Sequence, residues 1–528
     1  MKLPIGIQSF EKIRTDGYVY VDKTDLVYRL AQGHIYFLCR PRRFGKSLLL
    51  STLKAYFEGR RDLFEGLKMA ERETQWTQYP VLHIDFNGER FERAGVLHRV
   101  LVDYVEGWER QYGVSPSPTA PLGIRFRDVI AAAHRQTGRR VVVLIDEYDK
   151  PLLDVLGIAT TTTIDGLTVT VEEDNRQELK AFYSVFKATD DHLRFVMLTG
   201  VTKFSQISVF SGFNQPDDIS LDPRYDSIVG VTEEELYSVF GEHIKELADA
   251  NGWTVSETKA QLKRRYDGYH FSERLIDMYN PFSILNAFSK QAMRDYWFAS
   301  GTPTYLVRLL GQSQEELMAY TTEEYGLDEF LNYKADVAKP LPMIFQSGYL
   351  TIRSVDREFE LYRLDYPNNE VRQGLLTLMT NNYLQPDGDI STNSWIQRTV
   401  RSLQAGRSDE VGRLFTAFLA GTPYQMRPKK PTELYFHYTL YLLMRLISCY
   451  TVYTEHQNSQ GRCDCVVETP QHVYIFEFKL DGTAREALQQ IHDRGYARPY
   501  AADPRQLHLI GATFSSETGT IAEWNVER

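Results

Sequence analysis

The sequence predicts an α/β protein that begins with a doubly wound parallel sheet and ends with a smaller αβββαβ domain. Two observations lead to this fold class. Short apolar runs of strand-forming residues alternate with helical stretches through the N-terminal part, and a succession of helix and strand patterns returns in the C-terminal part. Between them, helical sequence and a pair of strand-like runs predict a mostly helical region and a winged-helix-like middle.

The composition of the 528-residue chain, with 43% apolar and 13% aromatic residues, is typical of a globular protein. We find no charged-then-apolar leader and no apolar run near the roughly 18 residues of a membrane span, so we expect a cytoplasmic protein. The four cysteines form no C-x-x-C pair, which argues against a disulfide framework and against zinc. A net charge of −10 argues against a wholly basic surface but leaves room for a local basic groove.

A strand-like apolar run leads into RPRRFGKSLLL at residues 40–50. This stretch ends the phosphate-binding motif G-x-x-x-x-G-K-[ST] with Gly45, Lys46 and Ser47, but Arg40 stands where the motif opens with glycine. In a strand, loop and helix of this kind, backbone N–H groups and the helix N-terminus face the phosphates. Lys46 would reach the β and γ phosphates and Ser47 would bind magnesium. Arg40 is acceptable if its backbone angles stay in an ordinary region.

A second apolar run, Val141 to Ile145, ends in the acidic pair Asp146 and Glu147. Consecutive β-favouring residues followed by carboxylates indicate a buried parallel strand of the Walker B type. We expect Asp146 to hold magnesium together with Ser47, and Glu147 to orient or deprotonate the attacking water. Alone, each motif could be a surface lysine or an ordinary acidic strand end. Their order, each after a strand, favours a nucleotide site.

Two further strand-like runs, Val81 to Phe86 and Arg194 to Gly200, complete a predicted sheet of four strands with helical crossovers. Thr199, Thr202 and Lys203 lie at or beyond the end of the last run. Nucleotide-hydrolysing proteins of this fold place a residue that senses the γ phosphate at this position. Thr202 is therefore a candidate nucleotide contact.

Several stretches resemble the bacterial AAA-ATPase-like family, whose usual loop is itself RPRRFGKS. They include LPIGIQSF at the start, YVYVDKTDLV at residues 18–27, LIDEYDKPL, LTGVTKFS and FSGFNQPDDISL. The resemblance implies a P-loop NTPase of the extended AAA group with a helical lid, and ATP and Mg²⁺ as its ligands. It also suggests a nearby role, with no defined chemistry, for the turn at residues 22–24. The expected nucleotide contacts are Arg40, Arg43, Phe44, Gly45, Lys46, Ser47, Leu48, Asp146 and Thr202.

The middle of the chain contains two departures from a simple helical pattern. A polar stretch at residues 159–175 is typical of a β-hairpin or a mobile insertion. Residues 344–372 contain two strand-like runs around a charged turn, which is consistent with the wing of a winged-helix module. Such a wing would transmit movement or contact DNA, and its balance of arginines against acidic residues favours transmission.

A second group of charged residues lies near the C-terminus. Asp464 opens an apolar run, and after a turn the strand-like VYIFEFKL at residues 473–480 carries Glu477 and Lys479. Side chains alternate along a strand, so Glu477 and Lys479 share one face, and a hairpin would bring Asp464 beside them. This trio suits phosphodiester hydrolysis. Asp464 and Glu477 would hold one or two Mg²⁺ ions, while Lys479 would position water or stabilise the phosphate.

The trio follows the PD-(D/E)XK nuclease pattern, and residues 430–528 resemble the nuclease-like domain commonly fused to this ATPase family. The succession of a helix at 433–448, three strands, a helix at 484–494 and a last strand agrees with that core. Gln490 in the second helix is expected to help hold the site, and Tyr496 follows it. The chain departs from its relatives at Gln457, where they usually carry a glutamate.

The sequence therefore predicts an ATP-binding and ATP-hydrolysing module that controls a Mg²⁺-dependent nuclease acting on nucleic acid, with DNA as the expected substrate, in defence or mobile-element biology. Two alternatives stay open: a nucleotide-gated sensor or scaffold that cleaves nothing, and an ATPase whose nuclease fold only grips nucleic acid. For a homo-oligomer, Arg42, Arg43 and Arg224 are candidate arginine fingers. The predicted domains are an ATPase-like domain at 1–230, a helical lid at 231–330, a winged-helix-like and helical connector at 331–428, and a nuclease-like domain at 429–528.

Overall fold

The computed structural model describes residues 2–115, 117, 119–164, 166–203, 216–300, 306, 319–331, 339–384, 392–420, 457–458, 461–462 and 464–528. Its contacts divide the chain into two compact units, Met1–Val371 and Arg372–Arg528. The finer division into four domains stays a prediction. Among the helices described, none combines the length and the apolar character that crossing a membrane requires.

The first unit contains a parallel sheet flanked by helices, followed by a helical region and a small antiparallel sheet. Its strands are β1 (Ile35–Cys39), β2 (Val81–Asp85), β3 (Val141–Asp146), β4 (Thr161–Ile164), β5 (Leu167–Thr170), β6 (Leu193–Gly200), β7 (Asp217–Asp218), β8 (Val231–Thr232), β9 (Met278–Tyr279), β10 (Glu324–Gly326), β11 (Thr351–Asp356) and β12 (Leu361–Asp365). Its helices are α1 (Phe10–Thr15), α2 (Thr24–Ala31), α3 (Lys46–Phe57), α4 (Val96–Gln111), α5 (Leu122–Thr137), α6 (Lys150–Leu153), α7 (Val171–Tyr183), α8 (Val185–Ala188), α9 (Glu233–Val239), α10 (Gly241–Asn251), α11 (Val255–Tyr266), α12 (Pro281–Lys290), α13 (Tyr296–Ala299), α14 (Ala319–Thr322), α15 (Leu327–Leu331) and α16 (Leu341–Gln346).

Within the described residues, five strands form the central sheet in the order β2-β3-β6-β1-β7, with parallel pairing throughout. β3 is buried along its whole length, whereas burial alternates along the edge strand β2. The four predicted strands are confirmed, and the two-residue β7 is an addition. Because β6 lies between β1 and β3, the segments that follow β1 and β3 flank the end of β6.

The helices α9 to α12 lie in the region predicted as a lid and share an apolar core that includes Leu236, Phe240 and Ile284. The N-terminal segment contributes Val19 to the same core, so the lid packs against residues that precede β1. Thr232 caps α9 through a capping box with Glu235, which satisfies N–H groups at the helix start. The start of α9 is therefore fixed by its own sequence.

Two smaller sheets settle the predictions for the middle of the chain. The polar stretch at 159–175 contains the antiparallel β4-β5 hairpin. The two runs predicted as a wing are β11 and β12, and β10 joins them in the order β10-β12-β11. β10 is an addition within the region predicted as mostly helical, and a strand of three residues is too short to show an alternating pattern.

The second unit begins within α17 (Asn369–Leu384), continues through α18 (Thr392–Gln404) and α19 (Ser408–Ala420), and contains α20 (Ala484–Asp493). Its strands are β13 (Gln457–Asn458), β14 (Gly461–Arg462), β15 (Cys465–Glu468), β16 (His472–Leu480), β17 (Gln506–Phe514) and β18 (Ile521–Glu527). β15, β16, β17 and β18 form one sheet in that order, with β16 and β17 parallel and the other pairs antiparallel. β18 is an addition to the predicted succession. The helix predicted at 433–448 and the strand predicted near 450 lie outside the described residues.

Arg40 anchors the end of β1 to the chain beyond the central sheet. Its side chain is almost completely buried, and its guanidinium donates hydrogen bonds to the carbonyl oxygens of Cys39 and Ser220. The guanidinium also lies 4.1 Å from the ring centroid of Phe271. Burial lowers the pKa of Arg40 to about 10, which still leaves the group charged at neutral pH.

Replacing Arg40 with glycine, the residue that opens the common motif, should lower the free energy of unfolding of the first unit by about 3 kcal/mol, because buried carbonyl groups lose a charged donor. Arg43→Gly is the matched control. Arg43 is exposed and has a φ of 65°, which glycine adopts without strain, so its stability should change little. Denaturant unfolding followed by tryptophan fluorescence measures both, and equal stability of the two variants would contradict the anchoring role of Arg40.

Candidate functional site

The loop between β1 and α3 closes around the side chain of Lys46. Gly45 precedes the helix with a φ of 100°, a conformation that only glycine adopts readily. Lys46 is 4% exposed, and its Nζ donates hydrogen bonds to the carbonyl oxygens of Arg40 at 3.0 Å and Pro41 at 3.2 Å. The ammonium group thus lies inside the loop, where phosphate oxygens could replace these carbonyl acceptors.

Arg40 and Phe44, two of the predicted nucleotide contacts, pack against residues beyond the loop. Arg40 has no positive φ, so the backbone condition from the sequence analysis is met. Its guanidinium, however, contacts Ser220 and Phe271, and only its carbonyl oxygen contacts the lysine. The ring of Phe44 packs edge-on against Tyr269 and Phe271, with centroids 4.7 and 5.3 Å away. Both side chains therefore support the loop, but Phe44 also lines an apolar pocket beside it. The nucleotide contacts predicted for Arg40 and Phe44 stay predictions.

Asp146 and Glu147 take different positions after β3. Asp146 is 2% exposed, and its Oδ1 accepts hydrogen bonds from the Thr199 hydroxyl at 2.6 Å and from the Glu147 N–H at 3.1 Å. Glu147 has a φ of 53°, which is uncommon for a residue with a side chain. Strain of this kind persists where the surroundings impose it, and functional sites are frequent locations.

The three polar residues at the end of β6 have separate partners. Thr199 contacts Asp146, whereas the N–H and hydroxyl of Thr202 donate to Asp149 Oδ2 at 2.7 and 2.8 Å. Lys203 forms an ion pair with a carboxylate of β7 at 2.5 Å. Thr199 and Thr202 are both fully buried, and both are absent from the described walls of the cavity over the loop. The nucleotide contact expected at Thr202 stays a prediction, and the contact with Asp146 makes Thr199 a second candidate. The sheet register places Thr199 beside Asp146, because their preceding residues pair.

Asp149 is a buried carboxylate to which sequence reasoning assigns no role. Its Oδ2 accepts hydrogen bonds from the N–H groups of Val201 and Thr202, which fixes the chain after β6 against the chain after β3. Burial raises the pKa of Asp149 to about 6, and the negative charge of Glu147 adds to the rise. The only signal in the sequence is its position in LIDEYDKPL, three residues after Asp146.

A cavity of about 370 Å³ lies over the loop. The N-terminal segment at residues 4–8 forms part of its wall, together with residues of the loop and of α6. The charged residues described in its walls are four cations and two carboxylates, namely Arg42, Arg43, Lys46, Lys150, Glu147 and Asp154. This excess of positive charge suits a polyphosphate.

The cavity brings together part of the predicted set. The predicted contacts among its wall residues are Arg43, Gly45, Lys46, Ser47 and Leu48, and Glu147 joins them. Of the candidate arginine fingers, Arg42 and Arg43 line the cavity of their own chain. Arg224 instead forms an ion pair with Asp222 at 2.5 Å.

In the second unit, Asp464 directly precedes β15 and Glu477 lies in β16. These strands are antiparallel with Cys465 opposite Phe476, so Asp464 and Glu477 follow as neighbours across the hairpin. The N–H of Phe478 donates to Asp464 Oδ2 at 2.8 Å, which fixes this end of the hairpin. The structure thus brings the two predicted carboxylates together.

Glu477 is 2% exposed and has two different carboxylate oxygens. Oε1 accepts hydrogen bonds from Lys479 Nζ at 3.2 Å and from the side-chain amide of Gln490, whose oxygen accepts from the same lysine. Oε2 has no hydrogen-bond partner among the described residues. Burial raises the pKa of Glu477 to about 7, the charge of Asp464 adds to it, and Lys479 opposes it. A buried oxygen of this kind, beside a second carboxylate, suits a cation.

A close approach of α20 to the sheet brings Gln490 to this site. Gly511 lies opposite Glu477 in the parallel β16-β17 register. A Cβ at Gly511 would lie 2.2 Å from the carbonyl oxygen of Ala484, so a larger residue would push the helix away. Tyr496, after the helix, belongs to the apolar core of this unit. Gln457 lies in β13, and its side chain is outside the described part of the chain.

Comparisons with known proteins agree with this arrangement. A family profile described as a predicted AAA-ATPase matches residues 4–210, and a profile of the PD-(D/E)XK nuclease superfamily matches residues 431–524. A protein of Azotobacter chroococcum mcd 1, described as an uncharacterized protein in the vnfD 5'region, is 37% identical over 536 residues, which is 100% of this chain and 99% of that protein. The chain belongs to this AAA-ATPase-like family. The α/β fold class and the C-terminal PD-(D/E)XK domain inferred from the sequence are confirmed.

Solved structures that align with this AAA-ATPase-like protein include the Aeropyrum pernix ORC2 protein in ADPNP-ADP complexes and the ORC1 protein of that organism in complex with DNA. Each is 11% identical, and each alignment covers 68% of this chain and 92% of the other. The TM-scores are 0.25 and 0.23. Values this low support no conclusion about ligands.

Divalent-cation binding to the second unit of the AAA-ATPase-like protein should depend on pH through Glu477. Since the pKa of Glu477 is about 7, protons compete with the cation below that pH, and affinity should fall about tenfold per pH unit. In the absence of a cation, Glu477 keeps a proton in the folded state that it loses in the unfolded state. Its contribution therefore lowers the free energy of unfolding as pH rises from about 4.5 to about 7.

Calorimetric titration with Mn²⁺, in the absence of nucleotide, measures this dependence. Glu477→Gln should bind weakly and with little pH dependence, whereas the exposed Glu517→Gln should behave as the unaltered protein does. An unchanged pH dependence in Glu477→Gln would show that another group controls binding.

Proposed function

We propose that this protein is an ATP-binding and ATP-hydrolysing switch that controls a Mg²⁺-dependent nuclease domain acting on nucleic acid, with DNA as the expected substrate. The observation that carries the proposal is the presence of two built sites on one chain. The first is the cationic cavity over Lys46 and Glu147, and the second is the buried Glu477 beside Asp464. The first is assembled from residues far apart in the sequence, and the second from one hairpin and the helix that follows it.

The residues of the first site fit a magnesium-bound nucleotide. Ser47 lines the cavity. Asp146 is a buried carboxylate at the end of β3, which is separated from β1 by β6. These two residues would hold Mg²⁺, which neutralises charge on the phosphates when it is bound. Lys46 would exchange its two carbonyl acceptors for phosphate oxygens. Glu147 would accept the proton of the attacking water, and Thr199 would keep Asp146 in place.

The residues of the second site also fit a hard cation. Among the described residues, no group of three or more His, Cys, Asp or Glu side chains is arranged to bind a metal. Two carboxylates are still sufficient for Mg²⁺, which commonly keeps several of its waters. Asp464 and Glu477 would hold the ion, which supplies a more acidic water and stabilises charge on the phosphate. Lys479, held by Gln490, would orient the water.

A contact inside the first unit supports transmission of the nucleotide state to the winged-helix-like region. The N–H of Lys203, at the end of β6, donates to Gln346 Oε1 in α16 at 2.7 Å. Thr202, the residue before Lys203, donates to Asp149 after β3. Consecutive hydrogen bonds therefore join the segments that follow β3 and β6 to α16. We infer that the wing relays movement and does not read DNA. Defence against foreign DNA or mobile-element maintenance is the setting we propose.

A first experiment measures release of acid-soluble fragments from DNA and RNA substrates, with and without ATP and Mg²⁺. Glu477→Ala should abolish cleavage and leave ATP binding unchanged, because it removes a cation ligand in the second unit alone. Lys46→Ala should weaken ATP binding by at least about a hundredfold and alter cleavage. The controls are Lys54→Ala, at a half-buried lysine of α3, and Glu517→Ala, at an exposed glutamate. If the unaltered protein never cleaves, the non-cutting scaffold replaces the nuclease proposal.

Thr199→Val separates ATP hydrolysis from ATP binding. The valine keeps the shape of threonine but removes the hydroxyl that donates to Asp146, so turnover should fall about a hundredfold while the dissociation constant of ATP changes less than about threefold. Phosphate release and equilibrium binding measure the two quantities. Thr202→Val is the comparison, since its hydroxyl donates to Asp149 and not to Asp146. A larger loss of turnover in Thr202→Val would favour Thr202 as the sensing residue.

A further inference from the structure

In the turn at residues 22–24, two side chains make hydrogen bonds that fix the turn itself, and the third side chain points away from them. Asp22 Oδ1 accepts hydrogen bonds from the N–H and hydroxyl of Thr24 at 2.9 and 2.6 Å, and its Oδ2 accepts from the N–H of Lys68 at 2.9 Å. The Thr24 hydroxyl accepts from the N–H of Met69 at 3.0 Å. Asp22 and Thr24 thus pin the turn to the segment at 68–69, while Lys23 points elsewhere.

Lys23 is a buried cation held by the lid. It is 8% exposed, and its Nζ donates a hydrogen bond of 2.6 Å to Glu235 Oε2. The same oxygen accepts from the N–H of Thr232 in the capping box of α9, so its position is fixed by the helix start. Among the described residues, Glu235 is the acceptor for the Lys23 ammonium. An ammonium carries three N–H groups, so Lys23 can also donate to a ligand. Burial lowers the pKa of Lys23, and the Glu235 carboxylate opposes that effect.

An apolar pocket of about 110 Å³ lies beside Lys23 and adjoins the cavity over the loop. We call it the base pocket. Aliphatic and aromatic side chains such as Val27, Phe240 and Ile284 line it, and Lys23 is the one charged residue among its described walls. Gly45 belongs to the walls of both the base pocket and the cavity, so a ligand with phosphates at the loop could extend into the base pocket.

We propose that the base pocket holds the purine ring of the nucleotide and that Lys23 donates a hydrogen bond to N1 or N7 of that purine. This inference rests on the proposed nucleotide-binding function. A flat aromatic ring is favourably buried among apolar side chains, and the few polar groups of such a pocket, here Lys23 beside Tyr20 and Thr52, fix its orientation. Glu235 keeps the ammonium in position. Because Glu235 lies in the first turn of α9, it links base recognition to the lid. Lys23 is therefore a specificity-determining residue.

The test compares the affinities of ATP, 7-deaza-ATP, 1-deaza-ATP and inorganic tripolyphosphate by calorimetry. The unaltered protein should discriminate against one of the two deaza analogues by about tenfold or more, because that analogue lacks the acceptor. Lys23→Met should bind ATP about tenfold more weakly and lose this discrimination, with the affinity for tripolyphosphate unchanged. Lys68→Met, at an exposed lysine near the turn, should retain the discrimination.

Removal of Lys23 leaves Glu235 without its cation, so the double variant Lys23→Met with Glu235→Gln is measured as well and should also lose the discrimination. The inference is overturned if either variant keeps the preference of the unaltered protein, or if the unaltered protein binds both deaza analogues as tightly as ATP. Failure of the unaltered protein to bind ATP and tripolyphosphate would overturn the proposed function together with this inference. Normal ATP binding that is lost in Lys46→Ala but unaffected in Lys23→Met would overturn the inference alone.

Discussion

The placement of β6 between β1 and β3 is the constraint on which the nucleotide cavity depends. It lets the N–H of Arg40, at the end of β1, donate to the carbonyl of Gly200 at 3.2 Å, while Thr199 meets Asp146 on the other side. The loop, the polar strand end and the acidic pair are therefore joined by hydrogen bonds across adjacent strands. A strand order that separated β6 from β1 or from β3 would remove one of these two contacts.

The sequence was sufficient to predict the strands that have a clear hydrophobic period. It was insufficient for very short strands and for side chains whose hydrogen-bond partners depend on tertiary structure. Val141 to Ile145 predicts a buried strand because its apolar run is uninterrupted, and the alternation in VYIFEFKL places Glu477 and Lys479 on one face. β7 and β10 contain two and three residues and show no period. Thr199 and Thr202 could not be distinguished, because their hydrogen-bond partners depend on the register between β3 and β6 and on the turn that follows β6.

The unusual state of Glu477 also comes from tertiary packing. The sequence shows that Glu477 lies in a strand, but its burial depends on α20. This helix can approach the sheet only because Gly511 has no side chain. The hydrogen bonds of Lys479 and Gln490 satisfy Oε1 and leave Oε2 without a partner among the residues described. A carboxylate left in this condition is costly to ionise unless a cation accompanies it. The folding of this unit and its capacity for a metal are therefore aspects of one arrangement.

The buried guanidinium of Arg40 also bears on where this protein can be divided. The match to the AAA-ATPase profile ends at residue 210, whereas the partners of Arg40 lie at Ser220 and Phe271. A fragment cut at the end of this profile match would keep the phosphate loop but discard the groups that compensate the buried charge of Arg40. The end of the profile match is thus not a limit of folding, and an expression fragment meant to preserve the loop has to extend through the lid.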